Sequence, residues 1–206
     1  MAHDHEPRHR DRHGNPEDMA AYLEKLESPE RAAWQRPDQV VAALGLRPGQ
    51  VAADHGAGPG YFTLRLARAV GPTGRVYGID VDPRMTELLA RRASEAGLGN
   101  VHPVLAPDGD GLPPEPCQVV LCVNAFHHFH DGAGTLRRLA GRLAPGGRIA
   151  LIEFHEGELP VGPPPEHRVT RHQIEAAVAA AGLEVVAEER FLPWQHFLSL
   201  APAPAA

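Results

Sequence analysis

From Val51 onward, apolar and polar positions along this chain alternate between two periods. Short, nearly continuous apolar runs at 51–53, 75–80, 101–105, 117–123 and 149–154 predict strands buried on both faces of a parallel sheet. Helical spacing fills the gaps. Phe62, Leu66, Ala69 and Val70 make one stripe, stopped by Gly71-Pro72. Met85, Leu88, Leu89, Ala93 and Ala96 make another, opened by Asp82-Pro83 and stopped at Gly97; Leu136, Leu139, Ala140 and Leu143, capped by Asp131, make a third. A Thr170-x-x-Gln173 capping box opens a fourth, with Ile174, Ala177, Val178 and Ala181 inward and Gly182 as its stop. Runs at 183–187 and 195–200, joined through Phe191-Leu192-Pro193, predict an antiparallel pair at one sheet edge. The expected fold is α/β, a doubly wound, mostly parallel seven-stranded sheet with a C-terminal antiparallel hairpin.

The stretch before the first strand has a different character. Residues 1–14 hold His3, His5, His9 and His13 and almost nothing to bury, so a mobile tail is expected there. Residues 15–46 read as a helical cap. One helix is expected from Asn15-Pro16 to Leu26, a second opens at Ser28-Pro29-Glu30, and a third runs over 38–44, closed by Gly45. Lying ahead of the first strand, these helices can fold over the sheet's ligand edge, making Trp34, Gln35 and Arg36 candidates for a pocket wall. The main domain is expected over 47–200, with 201–206 as a tail.

Charge narrows the partners. With 26 acidic against 20 basic residues and no basic stripe, a nucleic-acid backbone is a poor partner and a small molecule the default. Cys117 and Cys122 are too few for a disulfide framework and lie in an apolar run as buried thiols. No stretch approaches the roughly twenty apolar residues of a membrane span, and the N-terminus has no apolar signal core, so a cytoplasmic protein without membrane partners is expected.

The chemistry concentrates where the first strand ends, in Asp54-x-Gly56-x-Gly58-x-Gly60, with Pro59 placed for the first turn of the following helix. A dinucleotide loop needs G-x-G-x-x-G against a pyrophosphate, and this spacing misses it by one residue. Asp54 beside a diphosphate would be repelled, whereas it suits an ammonium group. Asp80 ends the second strand, twenty residues past Gly60, where a βαβ unit sets a carboxylate on ribose hydroxyls.

The D-x-G-x-G-x-G stretch resembles motif I of the class I S-adenosylmethionine-dependent methyltransferases, whose fold is Rossmann-like. Asp108 stands where that family's D-x-x-x-L-P acid meets adenine, although Pro107 replaces the usual preceding Gly. Asn124-Ala125-Phe126-His127-His128-Phe129 is similar to the N-x-x-H-H-F turn after strand four, and Pro145-Gly146-Gly147 to the bend before strand five. A closer likeness is to small bacterial methyltransferases with a His-rich start, a W-Q-[KR]-P segment (34–37) and a G-P-P-x-E-H-R segment (162–168). The resemblance implies S-adenosylmethionine as cofactor, held by Asp54, Gly56, Gly58, Gly60, Asp80, Val81, Asp108, Gly109 and Asn124.

Methyl transfer is an in-line displacement at a sulfonium carbon and needs a base only if the acceptor must lose a proton. Candidate bases are His127, His128, His155 and His167, with Glu153 and Glu166 as carboxylate alternatives; His127 and His167 are taken as the catalytic pair. Trp34, His128, His155, Glu166 and Arg168 are expected to line a small-molecule acceptor site, in part because the 155–168 segment reaches the usual loop ceiling of about 12–15 residues. The expected assembly is a monomer or homodimer, with no metal site. Two other readings stay open: a nicotinamide-dependent oxidoreductase, and a non-catalytic or metal-responsive binding protein using its histidines.

Overall fold

The structure is a computed structural model that describes residues 18–109 and 111–204. The expected tail over 1–14, Asn15, Pro16 and Asp110 lie outside the described residues. Three helices come first, α1 (Met19–Glu27), α2 (Pro29–Gln35) and α3 (Pro37–Ala43). The alternating part follows as β1 (Val51–His55), α4 (Thr63–Val70), β2 (Arg75–Asp80), α5 (Pro83–Glu95), β3 (Val101–Leu105), β4 (Cys117–Val123), α6 (Gly132–Ala140) and β5 (Leu143–Phe154). The chain closes with α7 (Arg171–Ala180), β6 (Leu183–Glu189) and β7 (Gln195–Pro202).

These strands form one seven-stranded sheet in the order β3-β2-β1-β4-β5-β7-β6. All pairs are parallel up to β5, and β7 runs antiparallel to both β5 and β6. The expected edge hairpin is therefore present, with β7 inserted inward of β6. Each face carries an apolar layer. Val40, Leu66, Val70 and Leu89 from α3, α4 and α5, with Leu44 capping α3, cover one side, and Leu136, Leu139, Ile174 and Val178 from α6 and α7 cover the other. Strand order reverses between β1 and β4, which splays their following segments apart and opens a crevice at the carboxyl edge.

Several boundaries differ from the sequence reading, each for a local reason. The cap of α1 is Asp18, whose carboxylate accepts from the Ala21 N–H at 3.0 Å. Pro59 is not in a helical turn: Gly60 takes φ +95°, which no α-helix contains, and α4 starts only at Thr63. Leu143 belongs to β5 rather than to the buried side of α6, and the Pro145-Gly146-Gly147 bend lies inside that strand. There β5 spends the residues from Leu143 to Arg148 against Cys117 to Val119 of β4, a bulge that Gly146 accommodates at φ +73°. Ala201 and Pro202 are not tail, since they pair with Glu184 and Leu183. Among the described residues no helix is long and apolar enough to cross a membrane.

Candidate functional site

The crevice floor is built by β1 and the glycine turn. Asp54 is 2% exposed and accepts a 2.6 Å hydrogen bond from the Thr63 hydroxyl. Burial pushes its carboxyl up to about 6, because the charged form is poorly solvated there. The turn is tied to the neighbouring strand: the N–H groups of Gly56 and Ala57 both donate to the Ile79 carbonyl, at 2.8 and 3.0 Å. A Cβ on Gly56 would stand 2.7 Å from that of Ala125, and one on Gly60 would stand 2.5 Å from Leu89, both at positive φ. The glycines thus let the turn pass between β4's exit and α5.

Asp80 ends β2 beside this turn. Its carboxylate accepts from the Gly58 N–H at 2.7 Å and from the Asp82 N–H at 3.0 Å, and burial raises its pKa. Each oxygen keeps acceptor capacity for a further donor, which is what a ribose diol requires. Val81 next to it is 42% exposed, an unusual setting for an apolar side chain, and lies against Gly109 of the β3–β4 loop. Asp108 is exposed on the same loop, after Ala106, whose N–H donates to the Asp80 carbonyl at 2.8 Å. Two carboxylates for cationic and hydroxyl groups, an exposed apolar ledge and a turn lacking side chains fit an adenosine carrying an amino acid. They do not fit a diphosphate.

The opposite bank leaves β4 and β5. Asn124 takes φ +53°, and its Oδ1 accepts from Gln195 Nε2 at 2.6 Å. His127 Nδ1 lies 3.0 Å from Glu153 Oε2, and the His127 backbone N–H also donates to this carboxylate at 3.3 Å. Glu153 is 2% exposed, so its charge faces His127 rather than solvent. The exposed His128 ring stacks on His127 with centroids 4.0 Å apart. Trp34 packs against Phe154 and Trp194, at 5.6 and 5.9 Å between centroids, and forms an aromatic wall beside this bank.

The loop after β5 is pinned rather than loose. His155 stacks on His196 at 4.4 Å, and burial, then the neighbouring His196, lowers its pKa. Arg168 donates to the Pro163 and Gly157 carbonyls at 2.8 and 2.5 Å, so its guanidinium holds the loop's own backbone. Glu166 and His167 are exposed in the short 3-10 turn of the same loop. Of the expected acceptor residues, His128 stacks on the candidate base His127, His155 joins them through His196, the ladder partner of Glu153, and Trp34 stands apart on Phe154 and Trp194.

Two contributors, Tyr22 and Arg31, escape any reading of the sequence alone, and the partner of Gln35, expected at the pocket wall, escapes it too. Helices α1 and α2 lie over the glycine turn: Leu26 is 3.9 Å from where a Gly58 Cβ would stand, and Glu27 pairs with Arg92. This brings the Tyr22 phenol near Asp80 and Asp82, and its pKa is raised, chiefly by burial. It also buries Gln35, which donates to Gln195 Oε1 at 3.3 Å and so links α2 through Gln195 to Asn124. Arg31 joins the same chain through Gln35. No local pattern marks these residues, since Tyr22 and Arg31 sit at ordinary solvent-facing helix spacings. A separate groove of about 680 Å³ between α3 and α4 contains only Gly60 of the expected cofactor residues.

His55, next to Asp54, points to the other face. It is 5% exposed, neither ring nitrogen has a hydrogen-bond partner among the described residues, and burial pushes its pKa down to about 4 against an opposing pull from the Gly111 backbone. A histidine that protonates more readily when unfolded costs stability as pH falls from about 6.5 towards 4. Unfolding titrations at pH 7 and pH 4.5 should show His55→Phe losing less stability over this interval than the unsubstituted chain, by up to about 2–3 kcal/mol. Parallel losses in both proteins would mean that the imidazole is not buried neutral.

The fold, a seven-stranded mixed sheet flanked by helices, is of the Rossmann-like type found in methyltransferases. Residues 52–147 match the family model described as "Methyltransferase domain". The chain is 35% identical over 141 residues to an uncharacterized 37.1 kDa protein in transposon TN4556 of Streptomyces fradiae, covering 66% of this chain and 39% of that protein. It is 34% identical over 119 residues to the aklanonic acid methyltransferase DauC of Streptomyces sp. (strain C5), covering 56% of this chain and 54% of DauC. The chain thus spans about half or less of the length of these relatives. Among solved structures, it resembles a SAM dependent methyltransferase from Aquifex aeolicus with TM-score 0.80 at 24% identity, over 87% of this chain and 96% of the other.

Proposed function

We propose that this chain transfers the methyl group of S-adenosylmethionine to a small-molecule acceptor. The observation that carries the reading is the pair of acids, Asp54 and Asp80, at the ends of adjacent parallel strands on either side of a glycine turn. That arrangement rejects a pyrophosphate and therefore disfavours the nicotinamide alternative. The match to the methyltransferase domain model and the likeness to DauC support it.

In this reading Asp80 takes the ribose hydroxyls, Val81, Asp108 and Gly109 border the adenine, and Asp54 with the glycine turn takes the amino-acid end. The cofactor, when bound, supplies an electrophilic methyl on sulfonium sulfur. The chain's own part is to align the acceptor, keep water away and remove a proton where the acceptor has one to lose. In this reading His127 takes that proton, a role its contact with the Glu153 carboxylate supports, and the Trp34, Phe154 and Trp194 rings offer a flat acceptor an apolar wall.

Calorimetric titration tests the reading directly. S-adenosylmethionine and S-adenosylhomocysteine are expected to bind with dissociation constants on the order of micromolar, about −8 kcal/mol, and NAD is expected not to bind. Asp80→Ala should weaken the adenosyl ligands by about 1.5–3 kcal/mol, the scale of hydrogen bonds to a charged group. Tight NAD binding with no response to either adenosyl ligand would sink the reading.

A further inference from the structure

The N–H groups of the glycine turn are already used within the protein. Gly56 and Ala57 donate to Ile79, Gly60 donates to Ala57 at 3.1 Å, Gly58 donates to Asp80, and Pro59 has no N–H to offer. An amino-acid end brought to this turn is a zwitterion, and its ammonium can turn towards Asp54. Its carboxylate finds no uncommitted donor among those turn amides.

Arg31 stands over the same place. Its guanidinium lies 3.9 Å from the centroid of the Tyr61 ring, which fixes its plane, and Arg65 covers that ring as well at 4.4 Å. Two bonds hold the fork, from Nε to Gln35 Oε1 at 2.5 Å and from Nη1 to the Leu26 carbonyl at 2.6 Å. Both acceptors are neutral. No carboxylate among the described residues lies within ion-pair distance of Arg31, although it senses Asp54 across the turn. Arg31 is half-buried, and desolvation lowers its pKa to about 10 against the opposing pulls of Tyr61, Asp54 and Tyr22. A guanidinium with donors to spare suits the planar, bidentate geometry of a carboxylate.

We propose that Arg31 is the receptor for the α-carboxylate of the cofactor, so that Arg31 and Asp54 together select an adenosyl compound that still carries an intact amino acid. This rests on the methyltransferase reading and adds a specificity-determining residue to it. It also gives the Arg31–Gln35–Gln195–Asn124 chain a purpose, because seating the carboxylate fixes α2 over the crevice and steadies Asn124 on the far bank.

The test compares two ligands that differ only in the carboxylate, S-adenosylhomocysteine and its decarboxylated counterpart S-adenosyl-3-thiopropylamine, by calorimetry on the full chain. The unsubstituted protein is expected to prefer S-adenosylhomocysteine by on the order of 10- to 150-fold, the span of a charge-assisted contact. In Arg31→Gln that preference should collapse to within about threefold, with the affinity for the decarboxylated ligand unchanged. Equal weakening of both ligands would show that Arg31 merely supports the fold and would overturn the inference, as would an undiminished preference. In either case binding of S-adenosylhomocysteine by the unsubstituted chain would leave the methyltransferase reading standing. Failure of that chain to bind either ligand would overturn both.

Discussion

Asp54→Asn is expected to stabilise the unliganded protein while nearly abolishing its affinity for the cofactor. Asp54 is buried, has a neutral hydroxyl as its hydrogen-bond partner, and carries a carboxyl raised from 3.8 to about 6. A group protonated more easily in the folded state than in the unfolded one makes stability fall as pH rises from about 4 to 6, and the whole cost stands at neutral pH. Asn keeps an oxygen for the Thr63 hydroxyl and removes the charge, so it should return about 1–3 kcal/mol at pH 7.5. For a chain of this size each kcal/mol is roughly 2–4 °C of melting temperature. The same charge is what the ligand's ammonium meets, and its loss should weaken S-adenosylhomocysteine by at least about 10- to 150-fold. Thermal melts with and without ligand read both effects at once: a higher baseline melting temperature and a lost ligand-induced rise. A misfolded variant cannot give that pair of signs. A variant less stable than the parent that still binds would show that Asp54 is a structural acid.

His127→Ala is expected to cost turnover of about 10²- to 10⁴-fold, the range for a positioned general base, with cofactor affinity intact. The expectation applies to an acceptor that must lose a proton and rests on geometry. Nδ1 is engaged by a carboxylate that is 2% exposed and bonded twice to the same residue, once through the ring and once through the backbone. That double contact fixes the ring orientation and stabilises the imidazolium formed when Nε2 takes a proton, as in other histidine–carboxylate pairs. Glu153→Gln keeps the shape and removes the charge, so it should lower kcat more than it changes KM, and by less than His127→Ala. Measured with any acceptor found by screening, full activity in both variants would move the base elsewhere. His155 and His167 are then the next to substitute, His155 because it stacks with His196 beside the same bank.

Much of this protein is written in local pattern. The apolar runs marked the strands at 75–80, 101–105 and 117–123 to the residue, most plainly at 117–123, where a strand buried on both faces is apolar at all but one position. The caps at Asp82, Asp131 and Thr170 were legible for the same local reason, since a helix's first N–H groups need an acceptor within a few residues. So was the acid-glycine turn at 54–60, where the chain must bend without side chains.

What the sequence left open lies between segments far apart in the chain. Glu153 and His127 are 26 residues apart, and Gln35 and Gln195 are 160 apart. Neither pairing leaves a period, since each arises only when β4, β5, β7 and α2 have been packed side by side. The placement of α1 and α2 is of the same kind. Their weak amphipathic pattern says that one face is covered, but only the shape of the carboxyl edge decides that Tyr22 comes within the field of Asp80 and Arg31 within that of Asp54. Local sequence sets which faces are buried, through periodicity and backbone conformation. Which buried polar groups meet is set by the assembled packing, where the cost of an unpaired charge selects the arrangement.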